Sequence, residues 1–126
     1  TAHPGIDYRT ETASNLARAL GDPDRVKGIL TNLLENAADA AGPSGTVLGR
    51  SYEAGTHVVV EIHDSGPGLS DEALKTLFEP SISFKNRGMG LGLSIARKDA
   101  LVCNGDLGLV PGKLGGAGFR LTLPKA

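Results

Sequence analysis

At 126 residues, with 40% hydrophobic and 21% charged side chains, the chain is the size of one domain, long enough to bury a core and too short for two ordinary ones. Lys and Arg (13) against Asp and Glu (14) leave a net charge of -1, which offers no basic excess to nucleic acid or an anionic membrane surface, and no apolar run approaches the roughly 20 residues of a membrane span. The lone cysteine, Cys103, excludes an internal disulfide framework and a cysteine-rich zinc site, the N-terminus lacks the segments of a signal peptide, and the composition fits a reducing compartment.

A strand is expected at 6–11, where a tyrosine and threonines favour a pleated surface, then a second extended piece at 16–20. Asp22-Pro23 starts a helix, with aspartate as cap and proline at the first helical position. Val26, Ile29, Leu30, Leu33, Leu34, Ala37 and Ala41 then recur at helical spacing up to Gly42-Pro43. Segments 47–53 and 57–64 flank a short Ala54-Gly55-Thr56 turn, and Val58, Val60 and Ile62 alternate with other residues, which predicts an antiparallel hairpin with one face in the core. Ser70 before Asp71 and Glu72 caps a short helix to residue 77 or 78. The stretch 79–89, poor in apolar residues and aperiodic, is expected to be the most mobile part of the chain. A further helix runs from residue 90 or 91 to Asn104-Gly105, and strands at 106–110 and 119–123 follow. Residues 1–126 read as one domain, a two-layer α/β sandwich whose mixed, mostly antiparallel sheet is covered on one face by about three helices.

On the first long helix Asn32, Glu35, Asn36 and Asp39 fall at i, i+3, i+4 and i+7, which stacks them opposite the leucines. A charged stripe can simply be solvated. Two asparagines one turn apart are another matter, since each costs about 0.5 kcal/mol against alanine in a helix. Their carboxamides offer a hard oxygen and an N–H without added negative charge, which suits a magnesium ion already partly neutralised by phosphates.

Glycine is the compositional outlier, at 18 of 126 residues, roughly twice the usual share of about 7%. Asp64-Ser-Gly-Pro-Gly68 places a carboxylate at a strand end, directly before a loop that lets another molecule approach the backbone. The string is also an ordinary Asx turn. A carboxylate only accepts hydrogen bonds, so it matches the exocyclic amine of adenine and repels the carbonyl of guanine. Gly88-Met-Gly-Leu-Gly-Leu-Ser94 leads into a helix, an arrangement that holds phosphate, yet it is not GxGxxG, and no G-x-x-x-x-G-K-S/T string exists. Lys85 and Arg87 precede these glycines and either meet phosphate oxygens or face water.

Taken in order, Asn32-Leu-Leu-Glu-Asn36-Ala, Asp64-Ser-Gly-Pro-Gly68, Leu77-Phe-Glu-Pro80, Gly88-Met-Gly-Leu-Gly92-Leu-Ser and Gly116-Ala-Gly-Phe119 resemble five boxes of one family. It is the ATP-binding catalytic domain of sensor histidine kinases, of the GHKL superfamily and Bergerat fold. The resemblance covers about 21–124 and implies ATP and Mg2+ as ligands. It makes Asn36 the main magnesium ligand, Asn32 its support towards the phosphates, and Asp64 the reader of the adenine amine. It also implies that Gly66 and Gly68 admit the base, with Leu69 and Phe78 in the binding set. The Leu77 box and the loop after it form a nucleotide lid, with Lys85 as the lid lysine. Gly88, Gly90 and Gly92 line the phosphates, and Leu91 and Leu93 pack the lid end. Ser81 and Ile82 replace the aromatics frequent after the proline, and Gly116-Ala-Gly-Phe replaces G-T-T-F. Asp39 and Met89 match the nitrogen- and oxygen-sensing branches.

The implied activity is transfer of the γ-phosphoryl group of ATP to a histidine on a separate dimerising helical domain, with Asn32, Asn36 and Lys85 as the catalytic set. None of His3, His57 and His63 has the acidic neighbour and helical setting of such an acceptor. The chain therefore reads as an excised module, cytoplasmic or the cytosolic part of a membrane-bound sensor. Its expected partners are that acceptor domain and, indirectly, a response regulator, with no nucleic acid and no direct membrane contact. The same pocket also serves anti-sigma-factor serine kinases and non-catalytic nucleotide-binding scaffolds.

Overall fold

The computed structural model describes residues 5–12, 18–70 and 89–126. Strand β1 (Asp7–Thr12) leads to helix α1 (Pro23–Ala41), the hairpin β2 (Thr46–Ala54) and β3 (His57–Asp64), helix α2 (Met89–Val102), and strands β4 (Asp106–Val110) and β5 (Gly118–Pro124). The sheet order is β1-β2-β3-β5-β4. Among the described strands only the β1/β2 pair, joined through α1, is parallel; the other pairs are antiparallel. This is the expected mixed, mostly antiparallel two-layer sandwich, with two described helices. The short helix expected at 70–78 and the mobile stretch 79–89 lie outside the described residues apart from Ser70 and Met89. Among the described residues no helix is long and apolar enough to cross a membrane.

The local signals act as expected. The Asp22 side chain accepts the Asp24 N–H at 3.0 Å, with proline next in the chain, and Asp24 adds negative charge to the positive end of α1. Helix α2 ends where Asn104 turns left-handed, at φ +63°. There the Gly105 N–H reaches the Ala100 carbonyl at 2.9 Å and the Asn104 N–H reaches Leu101 at 3.0 Å, a doubly bonded Schellman end.

Three details differ from expectation. Ala54 pairs with His57, so the hairpin loop is the two residues Gly55-Thr56. Gly55 alone has a positive φ, +60°, as a type II′ turn requires. The extended piece at 16–20 reduces, in its described part, to one bridge between Ala19 and Lys125, because Gly21 and the Asp22 cap divert the chain into α1 within two residues. Leu34, on the apolar list for α1, is 36% exposed, since it sits at the edge of the stripe led by Ile29, Leu33 and Ala37.

Both helices pack on one face of the sheet. Ile29, Leu33 and Ala37 of α1 and Leu93, Ala96 and Ala100 of α2 meet Val47, Ile62, Leu107, Phe119, Leu121 and Leu123, and Cys103 is buried with them. Period-two alternation sends their neighbours to the other face, which carries charge. Arg50 donates to Glu11 at 2.9 Å and to Glu61 at 3.1 Å, and Tyr52 and His63 also hydrogen-bond Glu61. Strand β1 is the outer edge, exposed at all six positions.

Burial pushes the Glu61 carboxyl up, but the hydrogen bonds from Tyr52 and His63 and the charge of Arg50 outweigh it, so its pKa lies below the ordinary 4.5. A carboxyl lowered on folding contributes stability above its unfolded pKa and loses it as pH falls through the folded value. Glu61→Gln should therefore cost about 2 kcal/mol near neutral pH. Urea unfolding of both proteins across the acid range should show the difference shrinking at pH below about 4; a gap independent of pH would contradict the assignment.

Candidate functional site

The last residue of β3 is the best-determined member of the expected set. Asp64 is 2% exposed and points to the helix side of the sheet, opposite Val47 in the β2 register. Its Oδ1 accepts the Gly66 N–H at 2.9 Å and the Ala117 N–H at 3.3 Å. Its main chain accepts from Gly116 and donates to Ala117, at 3.2 and 3.1 Å. Among the described residues both side-chain bonds of Asp64 fall on Oδ1, so Oδ2 can accept a further N–H. Ser65 fastens the same loop to the start of β2, accepting the Thr46 N–H through Oγ at 2.9 Å.

Two glycines are dictated by these contacts. A Cβ on Gly66 would lie 3.0 Å from Asp64 Oδ1 and 2.7 Å from the Ala40 carbonyl carbon, so the loop runs against the backbone of α1. A Cβ on Gly116 would lie 2.5 Å from the Asp64 main-chain oxygen and 2.8 Å from the Gly66 nitrogen, with the Asp64 Oδ1 atom closer still.

The contact at Ala40 relates the carboxylate to the asparagines. Asn32, Asn36 and Ala40 are spaced four apart and share a helix face, so Asn36 is about 6 Å of helix rise from the turn that touches the Asp64 loop. Asn36 and Asn32 are both half-buried, and Asn36 Nδ2 donates to Asn32 Oδ1 at 3.1 Å. That bond commits the Asn36 nitrogen and leaves its Oδ1 as a neutral, hard oxygen donor of the kind magnesium accepts. Among the described residues no three His, Cys, Asp or Glu side chains form a metal-sized cluster.

The remaining expected residues divide by element. Gly90, Leu91 and Gly92 lie in the first turn of α2, where unpaired N–H groups and the helix dipole favour an anion. Leu93 is 3% exposed within the core, and Leu69 packs against the same core. Gly68 takes a positive φ, +81°, beside Gly116. Phe78, Lys85 and Gly88 lie outside the described residues.

Sequence reasoning assigned no role to the main chain of Gly116 and Ala117, although the glycine cluster marked the loop. It also left His63 as a strand-end histidine, while the spacing of Glu61 and His63 already placed both on the face away from the helices. Gly116→Ala should destabilise the fold by about 1–3 kcal/mol through overpacking and shift the amide resonances of Asp64 and Gly66. Gly108→Ala, where nothing lies within 4 Å of the added carbon, should leave the urea midpoint unchanged or higher; equal effects of the two would contradict the contact.

Residues 21–126 match the family described as histidine kinase-, DNA gyrase B- and HSP90-like ATPase. The C4-dicarboxylate transport sensor protein DctS of Rhodobacter capsulatus is 38% identical over 132 aligned positions, which cover 98% of this chain and 20% of that protein. The sensor histidine kinase ZraS of Salmonella typhi is 34% identical over 122 positions, 94% of this chain and 26% of that protein. The chain thus spans about a fifth to a quarter of the length of these curated relatives. Among solved structures, the nucleotide-free catalytic domain of histidine kinase ThkA has a TM-score of 0.85 at 34% identity, covering 96% of this chain and 80% of that one. Full-length ShkA in complex with AMPPNP has a TM-score of 0.79 at 30% identity, with 97% and 26% covered. The family match over most of the chain, and the agreement in fold, mean that this chain belongs to the histidine kinase-, DNA gyrase B- and HSP90-like ATPases and is homologous to the catalytic domains of sensor histidine kinases.

Proposed function

We propose that the chain binds Mg-ATP between α1, the Asp64 loop and the start of α2, and donates the γ-phosphoryl group to a histidine on a separate dimerisation domain in two-component signalling. The observation that carries this reading is the buried Asp64 carboxylate, pinned by backbone amides at one oxygen and one helical turn from the Asn32/Asn36 pair. Membership of the family supports it independently.

In this reading Asp64 Oδ2 accepts the adenine amine, and Gly66 and Gly68 leave room for the ring. Asn36 Oδ1 and the triphosphate hold the metal, with Asn32 fixing the Asn36 amide. Magnesium bound there neutralises phosphate charge. The N–H groups at the start of α2 face phosphate oxygens, and Lys85 completes the catalytic set from the lid. The acceptor imidazole nitrogen forms its bond to the γ-phosphorus as the bond to the β,γ-bridging oxygen breaks and ADP departs, so the chain supplies position and charge and no nucleophile. His57 opens a strand, with Nδ1 3.1 Å from Thr56 Oγ1, and His63 is fully buried, so neither supports an acceptor role, while His3 lies outside the described residues. We place the reaction on the cytosolic side, with a response regulator receiving the group from that histidine.

Calorimetric titration should give Mg-dependent binding of ATP and far weaker binding of GTP. Asp64→Asn keeps the Oδ1 acceptor for Gly66 and Ala117 but turns an N–H2 towards the adenine amine, so affinity should fall by about 1.5–3 kcal/mol with the fold intact. Equal ATP and GTP affinities, or an unchanged Asp64→Asn protein, would remove Asp64 from this role.

The transfer is tested with γ-labelled ATP and the parent protein's own dimerisation domain. The chain alone should acquire no label, and the added domain should become labelled on an acid-labile, base-stable phosphohistidine. Acid-stable, base-labile label on a partner serine would indicate an anti-sigma-type kinase, and no transfer to any partner a scaffold.

A further inference from the structure

The loop between β4 and β5 holds the Asp64 carboxylate, yet it has little intrinsic reason to stay in place. Gly112, Gly115 and Gly116 lie in it and Gly118 follows, and glycine loses more conformational freedom on ordering than any other residue. Two groups of hydrogen bonds fix it. On the helix side, Gly116 and Ala117 bond Asp64 as described above. On the opposite face the Lys113 N–H donates to His63 Nδ1 at 3.2 Å.

His63 is 0% exposed, and both ring nitrogens are used. Because Nδ1 accepts a main-chain N–H, the ring proton resides on Nε2, which donates to Glu61 Oε1 at 2.8 Å. Glu61 is held in turn by Arg50 and Tyr52, so the ring cannot turn without breaking a buried network. Gly118 lies directly across from His63 in the sheet. A Cβ there would be 2.8 Å from Nδ1, so the imidazole lies flush against the root of the loop. The loop also folds on itself, with Gly112 against the Gly116 carbonyl, which links the Lys113 end to the amides that hold Asp64.

His63 and Asp64 are consecutive and point to opposite faces, and one loop grips both. We propose that His63 is a positioning residue for the ligand-reading carboxylate: by accepting the Lys113 N–H it fixes the β4–β5 loop, and through Gly116 and Ala117 it sets the orientation of Asp64. The inference rests on the reading of Asp64 as the adenine acceptor.

Two conservative replacements separate the two ring nitrogens. Asparagine places an amide oxygen near the position of Nδ1, keeping an acceptor for Lys113 and losing Glu61. Glutamine reaches Glu61 with its N–H2 and offers nothing at the Nδ1 position. His63→Asn should bind ATP within about twofold of wild type, and His63→Gln about five- to tenfold more weakly, the scale of one lost hydrogen bond. A general loss of stability would not follow that order. Lys113→Pro removes the same N–H from the exposed side without touching the core, and should reproduce the His63→Gln loss, whereas Lys113→Ala keeps the N–H and should be silent.

Amide exchange of Gly116 and Ala117 in the nucleotide-free protein gives a second readout, expected to quicken in His63→Gln and Lys113→Pro alone. Equal ATP affinity in the two His63 variants, or wild-type affinity in Lys113→Pro, overturns the proposal. If wild type itself binds no ATP, the functional reading fails; unchanged exchange in His63→Gln and Lys113→Pro would by itself overturn the clamp.

Discussion

A carboxylate taken out of water must recover its hydrogen bonds from the protein or it destabilises the fold by several kcal/mol, and the far end of β3 is organised around that requirement. Asp64 recovers them from main-chain N–H groups of Gly66 and Ala117. Backbone donors cannot swing aside as side chains can, so the orientation of the carboxylate is written into the paths of two loops. Those paths come so close to Asp64 and to α1 that Gly66 and Gly116 have no room for a Cβ. The glycine excess of the chain is in this region a cost in conformational entropy, offset by the hydrogen bonds that immobilise one oxygen of a buried carboxylate.

The two faces of the sheet then take different tasks. The helix side holds the apolar core and, at its end, Asp64 and the Asn32/Asn36 face of α1. The other side holds a chain of charges from Glu11 through Arg50 to Glu61 and His63. Glu11 is exposed, Arg50 half-buried and Glu61 and His63 buried, so shielding deepens along the chain, and each group answers another's hydrogen-bonding demand. Hydrogen bonding to Glu61 is the leading cause that keeps the Tyr52 phenol above its ordinary pKa, so it stays protonated as the donor. Such a network has few alternative arrangements, which makes it a firm support for the loop that passes over His63.

Much of this was legible in the residues and some was not. The cap at Asp22-Pro23, the alternation of Val58, Val60 and Ile62, and the stop at Asn104-Gly105 are local signals, read from neighbours a few positions apart, and they located α1, the hairpin and the end of α2. Helical spacing put Asn32 and Asn36 on one face and the strand-to-glycine transition marked Asp64, while joining them into one site rested on the resemblance of the ordered motifs. What escaped depends on partners distant in sequence. The amides of Gly116 and Ala117 are 52 and 53 positions from Asp64 and carry no side-chain signature, and Lys113 meets His63 across 50 positions through a backbone atom. The piece at 16–20 is extended as expected in its described part, but holds only the bridge from Ala19 to Lys125. Its composition favours extension, but the helix cap that follows leaves no length for a ladder.

Strand β1 carries a different consequence. It lies at the sheet margin, its outer backbone groups without a strand partner among the described residues, and parallel pairing to β2 is its attachment to the sheet. A bare edge of this kind invites a second chain to add a strand. Asp7, Arg9 and Glu11 alternate along it, with Arg9 paired to Asp7 and Glu11 to Arg50. A copy arriving edge to edge would have to accommodate this fixed order of negative, positive and negative groups. The Glu11–Arg50 pair that ties β1 to β2 therefore also fixes a charge at this edge, which discourages a second copy from adding to it.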